Sequence, residues 1–268
     1  MLFEFLIFIG VLSLLIGSFL NVVIARLPVI IFSPAQSQSF NLAFPASHCP
    51  KCQHPIAWYE NIPVLSYLFL KGQCHYCHQP ISFRYPMVEL LTMILSLFVA
   101  FHFGISLKTV GGLLLVWTLI PLSFIDFDHT ILPDDITIPC LWLGLFFNIF
   151  HVFTDPSSAI IGAIAGYLSL WFIYILFKAI TGKEGIGFGD FKLLAMLGAW
   201  LGWKMLPFII LISSSLGTIV GLLLIILRGR DKNVPIPFGP FLAIGGGCAL
   251  LWDRYLNQWY FQWMGVIS

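Results

Sequence analysis

The chain has 268 residues, 59% of them hydrophobic and only 9% charged, with 13 Lys and Arg against 12 Asp and Glu. A water-soluble domain carries roughly a quarter of its residues as charges, so this composition and a mean hydropathy of +0.95 exclude one and specify an integral membrane protein. The net charge of +1 gives no basis for nucleic-acid binding.

Helices of about 20 apolar residues cross a bilayer. Spans are predicted at 3–26, 88–104, 109–125, 136–153, 158–180, 191–203, 205–227 and 238–252, an all-α polytopic architecture of about eight transmembrane helices. The first span carries Glu4, lacks a basic leader and has no small-x-small cleavage site, so it reads as an anchor rather than a signal peptide. Three segments are expected: the first helix at 1–27, a polar loop at 28–87, and a transmembrane domain at 88–268.

The loop reads "HCPKCQHPIAWYENIPVLSYLFLKGQCHYCHQPISFRYP" and holds four of the six cysteines, as Cys49-x-x-Cys52 and Cys74-x-x-Cys77. CPKCQHPI and CHYCHQPI form an internal repeat, and each resembles a knuckle presenting two thiolates to one metal. Four thiolates close a tetrahedral zinc site, and 21 residues between the pairs stand just outside the usual spacing. Two disulfides, four free thiols, or a ligand from His48, His54, His75 or His78 are the alternatives. A reducing compartment disfavours the disulfides. Metal binding would supply folding energy to a loop poor in apolar runs. Cys140 and Cys248 fall in predicted spans and read as packing residues.

After the third span comes "FIDFDHTILPDDITIP", with Asp126, Asp128, Asp134 and Asp135; Asp134 or Asp135 reads as the cap of the fourth helix. "TGKEGIGFGDFKLL" then places Asp190 at the start of a short sixth span, behind Gly187 and Gly189. Gly202, Lys204 and Pro207 signal a turn between the sixth and seventh. With the N-terminus outside, ten cations face inward (Arg26, Lys51, Lys71, Arg84, Lys178, Lys183, Lys192, Arg228, Arg230 and Lys232) and Lys108, Lys204 and Arg254 face outward. This bias puts the cysteine loop, the 126–135 segment and the 181–190 segment on the cytoplasmic side.

Carboxylates inside a membrane are costly and face protein or water. Two of them from different helices, sharing one proton, form a general acid and base able to hydrolyse an amide. Asp190 also reads as a helix cap, with Gly187 and Gly189 as turn residues. The glycine-rich stretch lacks a P-loop ending, and no G-x-S-x-G or H-E-x-x-H occurs.

Taken together, "GSFLNVVIARLP", the two knuckles, "ENIPVLSYL", "RYPMVELLT", "IDFDHTILPD", "GIGFGDFKLL" and "PIPFGPFLAIGG" resemble the bifunctional type IV prepilin peptidases, membrane aspartyl proteases with a Gly-x-Gly-Asp motif. That resemblance implies Asp126 and Asp190 as the catalytic pair. It implies cleavage of the leader of prepilins and pseudopilins, and N-methylation of the new terminus from S-adenosylmethionine. It associates the zinc loop, and Gly72 in it, with methylation; Glu60 and Asn61 are further candidates there, as is Ser66. It also implies a bacterial inner membrane, which with eight spans leaves both termini periplasmic. Oligomeric state is left open. Two other readings are a peptidase whose zinc loop only holds substrate, and a transporter or scaffold whose aspartates bind a cation.

Overall fold

The computed structural model describes residues 2–32, 40–182, 187–228 and 236–263, with side chains only as far as Trp252 in the last stretch. Of the cations counted above, Lys183, Arg230 and Lys232 and the side chain of Arg254 lie outside the described residues, as does Gly185 of the glycine motif. Nine α-helices occur among the described residues: α1 Leu2–Phe32, α2 Leu65–Phe69, α3 Arg84–Phe103, α4 Leu107–His129, α5 Asp134–Ile149, α6 Pro156–Thr181, α7 Phe188–Leu201, α8 Leu206–Arg228 and α9 Gly239–Trp263. All but the short α2 coincide with an expected span. Among the described residues, five stretches are long and apolar enough to cross a membrane: α1, α3, α4, α6, and α8 with the turn before it. α7, with 14 residues, rises only about 21 Å, short of the roughly 30 Å of hydrocarbon a span must cover. The chain packs as two compact units, Met1–Pro121 and Leu122–Ser268, with α4 contributing to both.

In the first unit α1 lies along α3. The helices meet at Gly17, where a β-carbon would stand 2.8 Å from the Glu89 backbone, and small residues at such crossings let helices in lipid pack by van der Waals contact. One turn on, Asn21 donates from Nδ2 to the carbonyl of Tyr85 at 3.1 Å. Arg26 is not a solvated topology signal. Its guanidinium is buried and donates to the carbonyls of Asn41 at 3.0 Å and Pro45 at 2.7 Å, tying the loop to the end of α1.

The second unit is built around α7, whose residues from Asp190 to Leu201, Lys192 apart, are buried. α6 crosses it at Gly162 and Gly198, each of which would drive a β-carbon into the other's carbonyl oxygen, at 2.3 and 2.1 Å. Trp200 is fully buried, stacks on Phe147 and donates from Nε1 to the carbonyl of Cys140 at 2.8 Å, joining α7 to α5. Asn148 caps the far end of α7, donating to the carbonyls of Ala199 and Trp200 while accepting from the N–H groups of Phe153 and Thr154. These contacts use the full donor and acceptor capacity of an amide, which is how a polar side chain tolerates complete burial. α7 is thereby fixed on two sides, and its first turn is presented at a defined place.

Candidate active site

Asp190 stands in the first turn of α7, three residues past Gly187. Gly187, not Asp190, occupies the capping position, and the Asp190 carboxylate accepts the Gly187 N–H from one turn inside the helix. Asp126 lies one turn before the end of α4 and is buried, whereas Asp128 is exposed. Residues two apart on a helix face nearly opposite ways, and that separates the two aspartates of "DFD".

Three contacts bring Asp126 and Asp190 to one place. The backbone N–H of Gly239, at the start of α9, donates to Oδ2 of Asp126 at 2.9 Å. A β-carbon on Gly239 would stand 2.7 Å from that same oxygen and 3.2 Å from Leu132. Leu132 also covers Gly189, the residue before Asp190, where a β-carbon would meet the leucine side chain at 2.8 Å. Leu132 thus packs against both glycines, each beside one of the carboxylates, and the two acids interact electrostatically. Both are buried, at 5% and 7% exposure, and two buried carboxyl groups this close cannot both ionise without cost. Gly189 therefore accommodates the connection between α4 and α5.

Asp134 and Asp135 fall in the first turn of α5 behind Pro133, which takes the capping position expected for one of them. Asp134 instead pairs with Lys192, whose Nζ is 2.7 Å from both carboxylate oxygens. This ion pair links the segment after Asp126 to the turn of α7 that carries Asp190.

In the loop, the repeat seen in the sequence is also a repeat of hydrogen bonds. Cys49 donates its N–H to the carbonyl of His54 and accepts from Gln53; Cys74 donates to Gln79 and accepts from His78. The bridges His48–Pro55 and Gln73–Pro80 close the two turns identically. All four sulfurs lie within 4.8 Å of one another, with 3.8 Å between Cys49 and Cys77 and 4.0 Å between Cys52 and Cys74. Zinc–sulfur bonds of 2.3 Å in a tetrahedron separate sulfurs by about 3.8 Å, so the cluster fits that ion. The N–H groups of Cys52 and Lys51 point at the Cys49 sulfur and lower its thiol pKa, whereas, against a hydrogen bond from Gln79, burial and the neighbouring sulfurs push that of Cys77 up, as expected of thiols crowded into one site.

Gly72 is buried at φ +69°, donates to the carbonyl of Tyr67 and accepts from Ile81, so it makes the turn entering the second knuckle. Glu60 accepts the N–H of Ala57 at 3.1 Å and closes the 3₁₀ turn Trp58–Asn61. Asn61 and Ser66 lie near it, Asn61 being exposed. The residues that spacing alone left unassigned are Gly239, inside "PIPFGP", and Lys192, two positions beyond Asp190.

Residues 11–103 match the model of the bacterial peptidase A24 N-terminal domain, and residues 113–222 match that of the type IV leader peptidase family. The chain is 51% identical to a prepilin leader peptidase/N-methyltransferase of Aeromonas hydrophila, covering 92% of this chain and 91% of that protein. It is 49% identical to one of Pseudomonas aeruginosa, over 95% and 92%, and 43% identical to one of Legionella pneumophila, over 96% and 94%. No solved structure matches it.

Proposed function

Since this chain belongs to the type IV leader peptidase family, we propose that it removes the leader of prepilins and pseudopilins with Asp126 and Asp190 and then N-methylates the new terminus. The observation that carries this reading is the convergence of the two buried carboxyl groups around Leu132, Gly189 and Gly239. One oxygen of Asp126 is held by Gly239, and its other oxygen can take a proton from water. Asp190, protonated, gives its proton to the oxygen of the scissile carbonyl as water adds to the carbon. The tetrahedral diol collapses when the proton held by Asp126 passes to the leaving nitrogen, the C–N bond breaks, and one diol hydroxyl returns its proton to Asp190, restoring both acids to their starting states. This sequence needs no covalent intermediate, consistent with two carboxyl groups acting as acid and base.

Cys49, Cys52, Cys74 and Cys77 hold a structural zinc ion; with all four positions filled by thiolates, the ion organises the loop and takes no part in peptide cleavage. S-Adenosylmethionine supplies the methyl group. The protein is multi-pass, and positive-inside counting supports a bacterial inner membrane with the loop and both aspartates at the cytoplasmic face and the N-terminus periplasmic. Substrate leaders that begin in the cytosol and continue into a bilayer helix match that placement.

Two measurements test the reading. Incubating a model prepilin with the purified protein and S-adenosylmethionine should yield the leaderless chain heavier by one methyl group, as read by mass spectrometry. Loss of the leader without methylation would leave only the peptidase reading. Elemental analysis should find one zinc per chain. Cys52→Ser should lower that content and open residues 40–87 to proteolysis, and a protease-resistant loop without metal would refute the zinc assignment.

A further inference from the structure

The connector between the knuckles carries large apolar side chains on its outside. Trp58 is 81% exposed and Phe69 is 83% exposed, with Tyr59, Leu65 and Leu68 also open. Leu65, Leu68 and Phe69 stand at i, i+3 and i+4 and make one face of α2, while Tyr67, on another face, packs edge-on against Phe83 and lies over Gly72. The 3₁₀ turn Trp58–Asn61 lies next to α2, and both segments carry exposed aromatic and aliphatic side chains. Large apolar side chains exposed this densely along one short connector mark a protein or membrane contact.

A hydrogen bond ties this connector to the spanning helix. The N–H of Val64, the residue before α2, is held by Oε2 of Glu89 at 2.8 Å. Glu89 is buried in α3, five residues past its first residue, or about 7 Å along the axis. α3 has 20 residues and rises about 30 Å, the thickness of the hydrocarbon layer. Val64 is therefore held beside the first turns of the spanning helix, at the end where that helix enters the interface in which amphipathic segments settle. Its backbone is held at φ +62°, unusual for a β-branched residue, as the chain reverses there. Trp and Tyr beside Leu and Phe are also the side chains that favour the membrane–water boundary.

We propose that residues 58–69 lie in the bilayer interface, with Trp58 and the Leu65–Leu68–Phe69 face of α2 inserted among the lipids, so that the knuckles rest on the membrane rather than hang in the cytosol. The partner is the lipid layer continuous with the one around α1 and α3.

Full-length protein labelled with fluorotryptophan and placed in lipid nanodiscs tests this, with the Trp58 fluorine resonance assigned by Trp58→Phe. Phosphatidylcholine carrying a nitroxide high on its acyl chain should broaden that resonance beyond detection, and an aqueous gadolinium chelate should leave it sharp. Broadening by the chelate alone, or protection from both reagents as under a protein cover, overturns the proposal. Replacing Leu68 and Phe69 together by Asp should transfer the Trp58 signal from the lipid probe to the chelate, with zinc content confirming folded knuckles. A folded variant still broadened by lipid would overturn the role of the α2 face. Neither readout involves cleavage or methylation, so failure here leaves the enzymatic reading untouched.

Discussion

Asp126→Asn and Asp190→Asn are each expected to lower leader cleavage by about a thousandfold or more, with membrane insertion and zinc content unchanged. Asparagine keeps the size of the side chain and removes only the ability to exchange a proton. Both residues are buried, so the neutral amide does not expose a new charge to lipid. Since the two acids act on the same proton inventory, the double variant should be scarcely worse than either single one. Asp128→Asn should cleave near the normal rate, because that residue lies on the exposed side of α4. Prepilin processing followed by mass spectrometry reads all four variants. A dead Asp128→Asn beside an active Asp126→Asn would reverse the assignment within "DFD". Ion flux altered by the aspartate variants, with processing intact, would favour the cation-binding alternative.

Much of this site was legible in the sequence because it rests on local signals. An aspartate at the end of an apolar run and another behind paired glycines are conspicuous where only 9% of residues are charged. The knuckle repeat is equally local, and the hydrogen bonds of Cys49 and Cys74 follow it residue for residue. Helix positions followed from hydropathy, but their lengths did not. α1 continues through Pro28 to Phe32, and α7 ends after 14 residues, because packing against α5 and α6 sustains a helix too short to span the bilayer. Nor could residue type alone reveal what Arg26, Asp134 and Gly239 touch. Arg26 counts as one more inward cation until Asn41 and Pro45 are seen to offer it their carbonyls. Asp134 reads as a cap until Lys192 reaches it from 58 residues away. The N–H of Gly239 is 113 residues from the carboxylate it holds, and no periodicity encodes such a separation.

That last contact carries the second large effect. Gly239→Ala is expected to reduce kcat for leader cleavage by roughly a hundredfold while leaving KM for prepilin nearly unchanged. The alanine retains the N–H, so the hydrogen-bond donor is not lost; what changes is the space. Its β-carbon would lie 2.7 Å from Oδ2 of Asp126 and 3.2 Å from Leu132, and the carboxylate, being the group at the end of a side chain, is the one to move. A reacting group displaced by about 1 Å costs on the order of a hundredfold, and the charge-assisted hydrogen bond from Gly239, worth about 1.5–3 kcal/mol, is stretched at the same time. Substrate binding draws on surfaces away from this oxygen, hence the separation of kcat from KM. A raised KM with kcat intact would place Gly239 in prepilin recognition. Wild-type kinetics would mean that Asp126 does not depend on the start of α9.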